Sequence, residues 1–142
     1  MKVVIDTTDY ISALIGKTHR AKLERVLFNE GIQILADLTL LEEIREVAYR
    51  DKFRKYISIE DAELFINSLK RRLKPVIVTS HVAVSPDPDD NFILALAKDG
   101  QADFIITGDK PGLLNLESFE SIPIVRLQAF LDIIDKTQKS AP

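Results

Sequence analysis

Short, strongly apolar runs alternate along this chain with stretches of helical spacing, and that alternation limits the fold more than any other feature. VVI at 3–5, IQILA at 32–36, ADFIITGD at 102–109 and IPIVRL at 122–127 each carry enough aliphatic residues for a buried strand. VIVT at 76–79 is a further candidate, and Pro86 and Pro88 break regular structure beyond it. Between these runs a helix is expected from Thr8 or Asp9, carrying Ile11, Leu14 and Ile15 until Gly16 interrupts it. Residues 19–29 read as a second helix, with Leu23, Val26 and Leu27 inward. Thr39 reads as the N-cap of a third, with Glu42 as its capping-box partner and Leu40, Leu41, Ile44 and Val47 buried. Residues 59–73, 89–99 and a C-terminal stretch through Phe130, Leu131 and Ile134 complete the helices. Such alternation predicts an α/β domain with a mostly parallel sheet.

With 142 residues, a hydrophobic fraction of 46% and 29% charged residues, the chain suits one soluble domain over 1–136, with 137–142 as a frayed tail. It has no cysteine, which excludes disulfides, thiolate metal sites and a cysteine nucleophile. MKVVID is too short for a signal peptide core, and no run approaches the ~18 apolar residues of a membrane helix. A cytoplasmic protein without membrane contact is expected. The net charge of −3 disfavours a nucleic-acid coat, although Arg45, Arg50, Lys52, Arg54, Lys55, Lys70, Arg71, Arg72 and Lys74 fall close together. These are either the solvated faces of two helices or a basic patch.

Ligands of parallel sheets bind beyond the carboxyl ends of the strands. Asp6 ends the first strand and Asp109 ends a later one, in FIITGD. Asp87, Asp89 and Asp90 crowd the start of the helix just before that strand, and Glu43 lies next to Ile44 at a helix border. Each has an ordinary explanation. Asp6 suits an N-cap, the DPDD cluster suits a helix dipole, Asp109 suits a turn and Glu43 suits the surface. Gathered on one edge, however, unpaired carboxylates would repel and raise one another's pKa. A hard divalent cation, Mg²⁺ or Mn²⁺, relieves that repulsion with oxygen ligands; zinc does not suit a chain whose only imidazoles are His19 and His81.

VVIDTT, LLEEIREV, DPDDNFILALA and ADFIITGDKPGLL together resemble the PIN domain, and within it the bacterial and archaeal branch described as toxins of toxin–antitoxin systems. The resemblance spans Lys2 to about Ile134. It implies a three-layer α/β/α fold and a Mg²⁺- or Mn²⁺-dependent ribonuclease. The family's acidic positions correspond to Asp6, Glu43, Asp90 and Asp109, acting in catalysis and metal binding. Thr8 stands where the family usually has asparagine, and Pro111 and Gly112 stand where an acidic residue is common after TGDK.

The chemistry expected is metal-assisted phosphodiester hydrolysis of single-stranded RNA, with Asp6, Asp90 and Asp109 on the cation and Glu43 positioning water or a second ion. Thr8, Asp87, Thr107 and Lys110 are supporting candidates. Lys17, Arg20, Arg50, Lys52 and Arg54 are candidates for a phosphate-contacting rim. Tyr10, Tyr49 and Phe53 are the aromatic candidates for base contact, and none marks a stacking platform. The resemblance implies a small antitoxin and a homodimer as partners. Two other readings remain: a receiver-type phosphorylation domain using Asp37 with Lys110, and a PIN-fold module that binds RNA or a partner without cleaving.

Overall fold

The computed structural model describes residues 1–108 and 111–140, the last three without their side chains. Asp109 and Lys110, both singled out from the sequence, lie outside the described residues. Six strands form one sheet: β1 (Lys2–Ile5), β2 (Gln33–Ala36), β3 (Leu73–Pro75), β4 (Phe104–Ile106), β5 (Ser118–Phe119) and β6 (Ile122–Val125). Their order is β3-β2-β1-β4-β6-β5, parallel throughout except for the β5–β6 hairpin. Seven α-helices among the described residues flank the sheet: α1 (Thr7–Ile15), α2 (Lys17–Leu27), α3 (Leu38–Ala48), α4 (Ile59–Arg72), α5 (Asn91–Asp99), α6 (Pro111–Leu114) and α7 (Leu127–Ser140). Among the described residues, no helix is long and apolar enough to cross a membrane.

The strand order reverses direction between β1 and β4. From β1 the chain steps outward to β2 and β3; after β3 it returns past β1 to β4 and steps the other way. Right-handed crossovers place the two sets of connecting helices on opposite faces, which buries both sides of β1 and β4. Val3, Val4 and Ile5 are accordingly fully buried, as are Ile105 and Ile106. Their register pairs Ile5 with Ile106, so the residues after both strands emerge side by side. Such a reversal point, at the carboxyl edge, is where open α/β sheets form their ligand crevice.

Several boundaries differ from those read in the sequence. The third helix begins at Leu38, with Asp37 as N-cap: its Oδ1 accepts the Leu40 amide at 2.9 Å. Asp37 directly succeeds β2, so the chain turns from strand into helix without a loop, and Thr39 falls inside the first turn. VIVT at 76–79 is not a strand. The ladder to β2 ends with the Val76 amide on the Ala36 carbonyl, 2.9 Å, because β2 itself stops there. Asp99 receives the next part of this segment, accepting the amides of Thr79 at 2.6 Å and Ser80 at 2.8 Å and the Ser80 hydroxyl. Those bonds, led by the Ser80 hydroxyl, hold the Asp99 carboxyl below its usual range. At the other end of the chain α7 continues to Ser140, past Lys136, where fraying was expected.

The β5–β6 hairpin was not foreseen. Its two connecting residues, Glu120 and Ser121, have φ of 47° and 69°, the left-handed region that Asn-Gly usually fills. An L-residue held there costs on the order of 1 kcal/mol. Ser121→Gly is therefore expected to stabilise the protein by about 1 kcal/mol, read as a higher urea midpoint at unchanged slope.

Candidate functional site

Asp6 does two things at once. It is the N-cap of α1, with Oδ1 accepting the Thr7 amide at 2.7 Å, so the ordinary reading of this residue is correct. Its Oδ2 accepts the Thr107 hydroxyl at 2.9 Å, and the Thr8 hydroxyl stands 3.5 Å away. Asp6 and Thr107 are both fully buried. Thr8 also accepts the Gly108 amide at 3.2 Å, tying the start of α1 to the segment that leaves β4. A threonine at this position thus links the two strand ends.

The three aspartates of DPDD separate by burial. Asp87 and Asp89 are exposed, whereas Asp90 is only 3% exposed. Asp87 caps the 3-10 turn Pro88–Asp90, accepting the Asp89 amide at 3.0 Å. Asn91 fixes the approach by accepting the Ser85 amide at 2.9 Å. Gly112 of α6 closes over this turn: a Cβ there would lie 3.8 Å from Asp90 Oδ2. Glu43, on α3, is half-buried.

Thr7, Thr8, Glu43, Asp87, Asp89 and Asp90 line one cleft of about 740 Å³, with Arg50 at its border. The structure therefore brings Glu43, Asp90, Asp87, Thr8 and Arg50 together, with Asp6 behind Thr8. A second cavity, about 810 Å³ and mainly apolar, lies beside β3 and includes Asp37. That placement, and the capping duty of Asp37, set Asp37 apart from the acidic cleft and count against a receiver-type site.

The basic rim does not hold together. Arg20 turns inward, donating from Nε to the Ala13 carbonyl at 2.9 Å and from Nη2 to the Leu14 carbonyl at 2.8 Å. Arg54 likewise donates to the Ala48 carbonyl, with Nε and Nη1 buried. Both arginines satisfy the last carbonyls of a helix. Lys17 is exposed at the start of α2, and Lys52 is exposed with its ammonium 5.1 Å from the Phe53 ring centroid. Arg50 and Lys52 are the members of the expected set placed at or beside the cleft.

One acid escaped notice. Asp9 on α1 is 1% exposed; its Oδ1 lies 2.9 Å from His19 Nε2 and its Oδ2 is buried without a hydrogen-bond partner among the described residues. Burial raises its pKa, His19 opposes the rise and the neighbouring Asp6 adds to it. A carboxyl whose folded pKa is raised favours folding most when protonated, and that contribution is lost as pH rises through the folded value. Asp9→Asn is thus expected to gain stability over the wild type as pH rises from 4 to 7, measured by urea unfolding across that range. Periodicity could not flag Asp9, since a polar residue in a first helical turn is ordinary.

A PIN domain family model matches residues 2–111, most of the chain. The chain belongs to the PIN domain family. Among solved structures, a chain of VapBC2 from Rickettsia felis, crystallised with a DNA fragment from the promoter, is similar in fold. The TM-score is 0.58 at 12% identity, covering 87% of this chain and 97% of that one. No curated protein matches the chain. In this PIN domain Asp6 directly follows β1, and Asp90 is the buried aspartate of the DPDD turn.

Proposed function

We propose that this PIN domain is a divalent-metal-dependent endoribonuclease acting on single-stranded RNA, and the toxin of a toxin–antitoxin pair. The observation that supports this most is the burial of two carboxylates, Asp6 and Asp90, beside a cleft also lined by Glu43. Three acidic or histidine side chains grouped to hold a metal do not occur among the described residues. The donor set nonetheless suits Mg²⁺ or Mn²⁺: hard carboxylate oxygens, with the hydroxyl of Thr107 and the amide of Thr7 orienting Asp6. Asp6, Asp90 and Asp109 would hold the cation, with Glu43 serving water or a second ion. A bound cation supplies an activated water and stabilises charge on the scissile phosphate.

The residues themselves contribute orientation. Thr107 fixes Oδ2 of Asp6, Thr8 couples Asp6 to the β4 exit, and Gly112 leaves room beside Asp90. Arg50, which lines the cleft, would meet a substrate phosphate. The R. felis protein of similar fold is part of VapBC2, which supports an antitoxin partner here; a homodimer is the other partner the PIN resemblance implies. A PIN module that binds without cleaving is favoured by Pro111 and Gly112, which place no carboxylate next to Asp90. Incubating purified protein with mixed-sequence single-stranded RNA separates the two. Cleavage with Mn²⁺ or Mg²⁺ that stops in EDTA supports the nuclease, and intact RNA under every metal supports the binding module.

A further inference from the structure

The cleft changes chemistry along its length. α1 and α3 both start at the carboxyl edge of the sheet, capped by Asp6 and Asp37. Residues later in each helix therefore lie farther from the strand ends. Thr8 and Glu43 mark the near end; Ile11, Ser12 and Ile15 on α1 and Glu46 and Val47 on α3 line the cleft farther along, and Phe53 lines it too. From Glu43 to Val47 the rise along α3 is about 6 Å. The acidic end thus passes within a few side chains into a mainly apolar end, whose one acid, Glu46, pairs with Arg50.

We infer that this apolar end, formed by Ile15, Val47 and Phe53 with Arg50 and Lys52 beside it, is a subsite for one nucleobase of the RNA. The inference rests on the ribonuclease reading and names where a base next to the cut bond is held. Phe53 is half-buried and lines the cleft, so it offers an aromatic surface fixed by the core rather than a mobile one. Two cations accompany it. Arg50 is 51% exposed, with a loose 3.6 Å pairing to Glu46, and the Lys52 ammonium stands over the Phe53 ring, 5.1 Å from its centroid, so a base that stacks on that face takes its place. A nucleotide brings an apolar π-face and a phosphate together, which matches an aromatic wall next to cations. An apolar peptide side chain brings no such charge. A cleft of about 740 Å³ also exceeds what a hydrated cation fills and lies in the range of small-molecule sites.

The test uses the full chain and a short single-stranded RNA carrying 2-aminopurine, whose fluorescence is quenched by stacking, with EDTA or Ca²⁺ present to prevent cleavage. Wild-type protein quenches the probe. Phe53→Leu, which keeps apolar packing but has no π-face, binds roughly tenfold more weakly and does not quench. Phe53→Tyr restores both. An RNA abasic at the probe position binds wild-type and Phe53→Leu protein equally. Wild-type and Phe53→Leu protein with the same affinity, or no quenching by the wild type, overturns the subsite and leaves the apolar end to a protein partner. Quenching in a protein that cleaves nothing under Mn²⁺ keeps the subsite and removes the nuclease, so the two readings fail separately.

Discussion

Asp90→Asn protein is expected to fold as the wild type does and to cleave RNA at least 10²- to 10³-fold more slowly, the scale on which one preorganised charge acts in catalysis. The fold survives because asparagine has the same shape as aspartate and keeps one acceptor oxygen. Asp6→Asn is a sharper probe. Asparagine caps helices about as well as aspartate, so the bond from the Thr7 amide remains. An asparagine amide at Oδ2 meets the Thr107 hydroxyl, which rotates to accept instead of donate. The structural duty of Asp6 is kept while its charge is removed. Single-turnover cleavage rates with circular dichroism on the same samples check both variants. A variant that loses activity only by unfolding contradicts the site.

The second large effect concerns stability, at the opposite end of α5. Gly100 ends this helix as its C-cap, and a Cβ there would lie 2.5 Å from Leu35 Cδ1 and 3.0 Å from the Leu96 carbonyl oxygen. Leu35 is 1% exposed in the middle of β2, so its methyl has no free space to move into, and the carbonyl is backbone. Gly100→Ala is expected to cost about 1–3 kcal/mol, the scale of overpacking in a dense core, which lowers Tm by on the order of 5 °C. Cleavage per folded molecule stays unchanged, because Gly100 closes the amino edge of the sheet and the cleft opens at the other. Calorimetry and activity on one preparation separate these outcomes.

The features legible in the sequence are those set by local interactions. β1, β2, β4 and β6 were readable because buried parallel strands are nearly continuous aliphatic runs. Asp6 was readable because it directly ends such a run. β3 was misplaced by three residues, since its end is set by where β2 stops and not by the apolar run VIVT. The β5–β6 hairpin carried no turn signature, as Glu120 and Ser121 hold positive φ without glycine or asparagine. Composition could not assign the arginines either: Arg20 and Arg54 look like Arg50 in sequence, yet two of them close helix ends and one faces the cleft. Within DPDD only burial separates Asp90 from Asp87 and Asp89, and burial is a property of the assembled fold. Phe53 does not read as a stacking surface in the sequence because nothing local links it to Ile15, 38 positions earlier by their numbers.

The proposed nuclease requires a divalent cation among the buried acids at the junction of β1 and β4. Titrating Mn²⁺ into the apo protein, followed by the loss of the free-ion electron paramagnetic resonance signal, tests it without relying on turnover. Saturable binding by the wild type is expected, displaced by Mg²⁺ and greatly weakened by both Asp6→Asn and Asp90→Asn. Binding that neither substitution alters, or no binding by a folded wild-type protein, would contradict it.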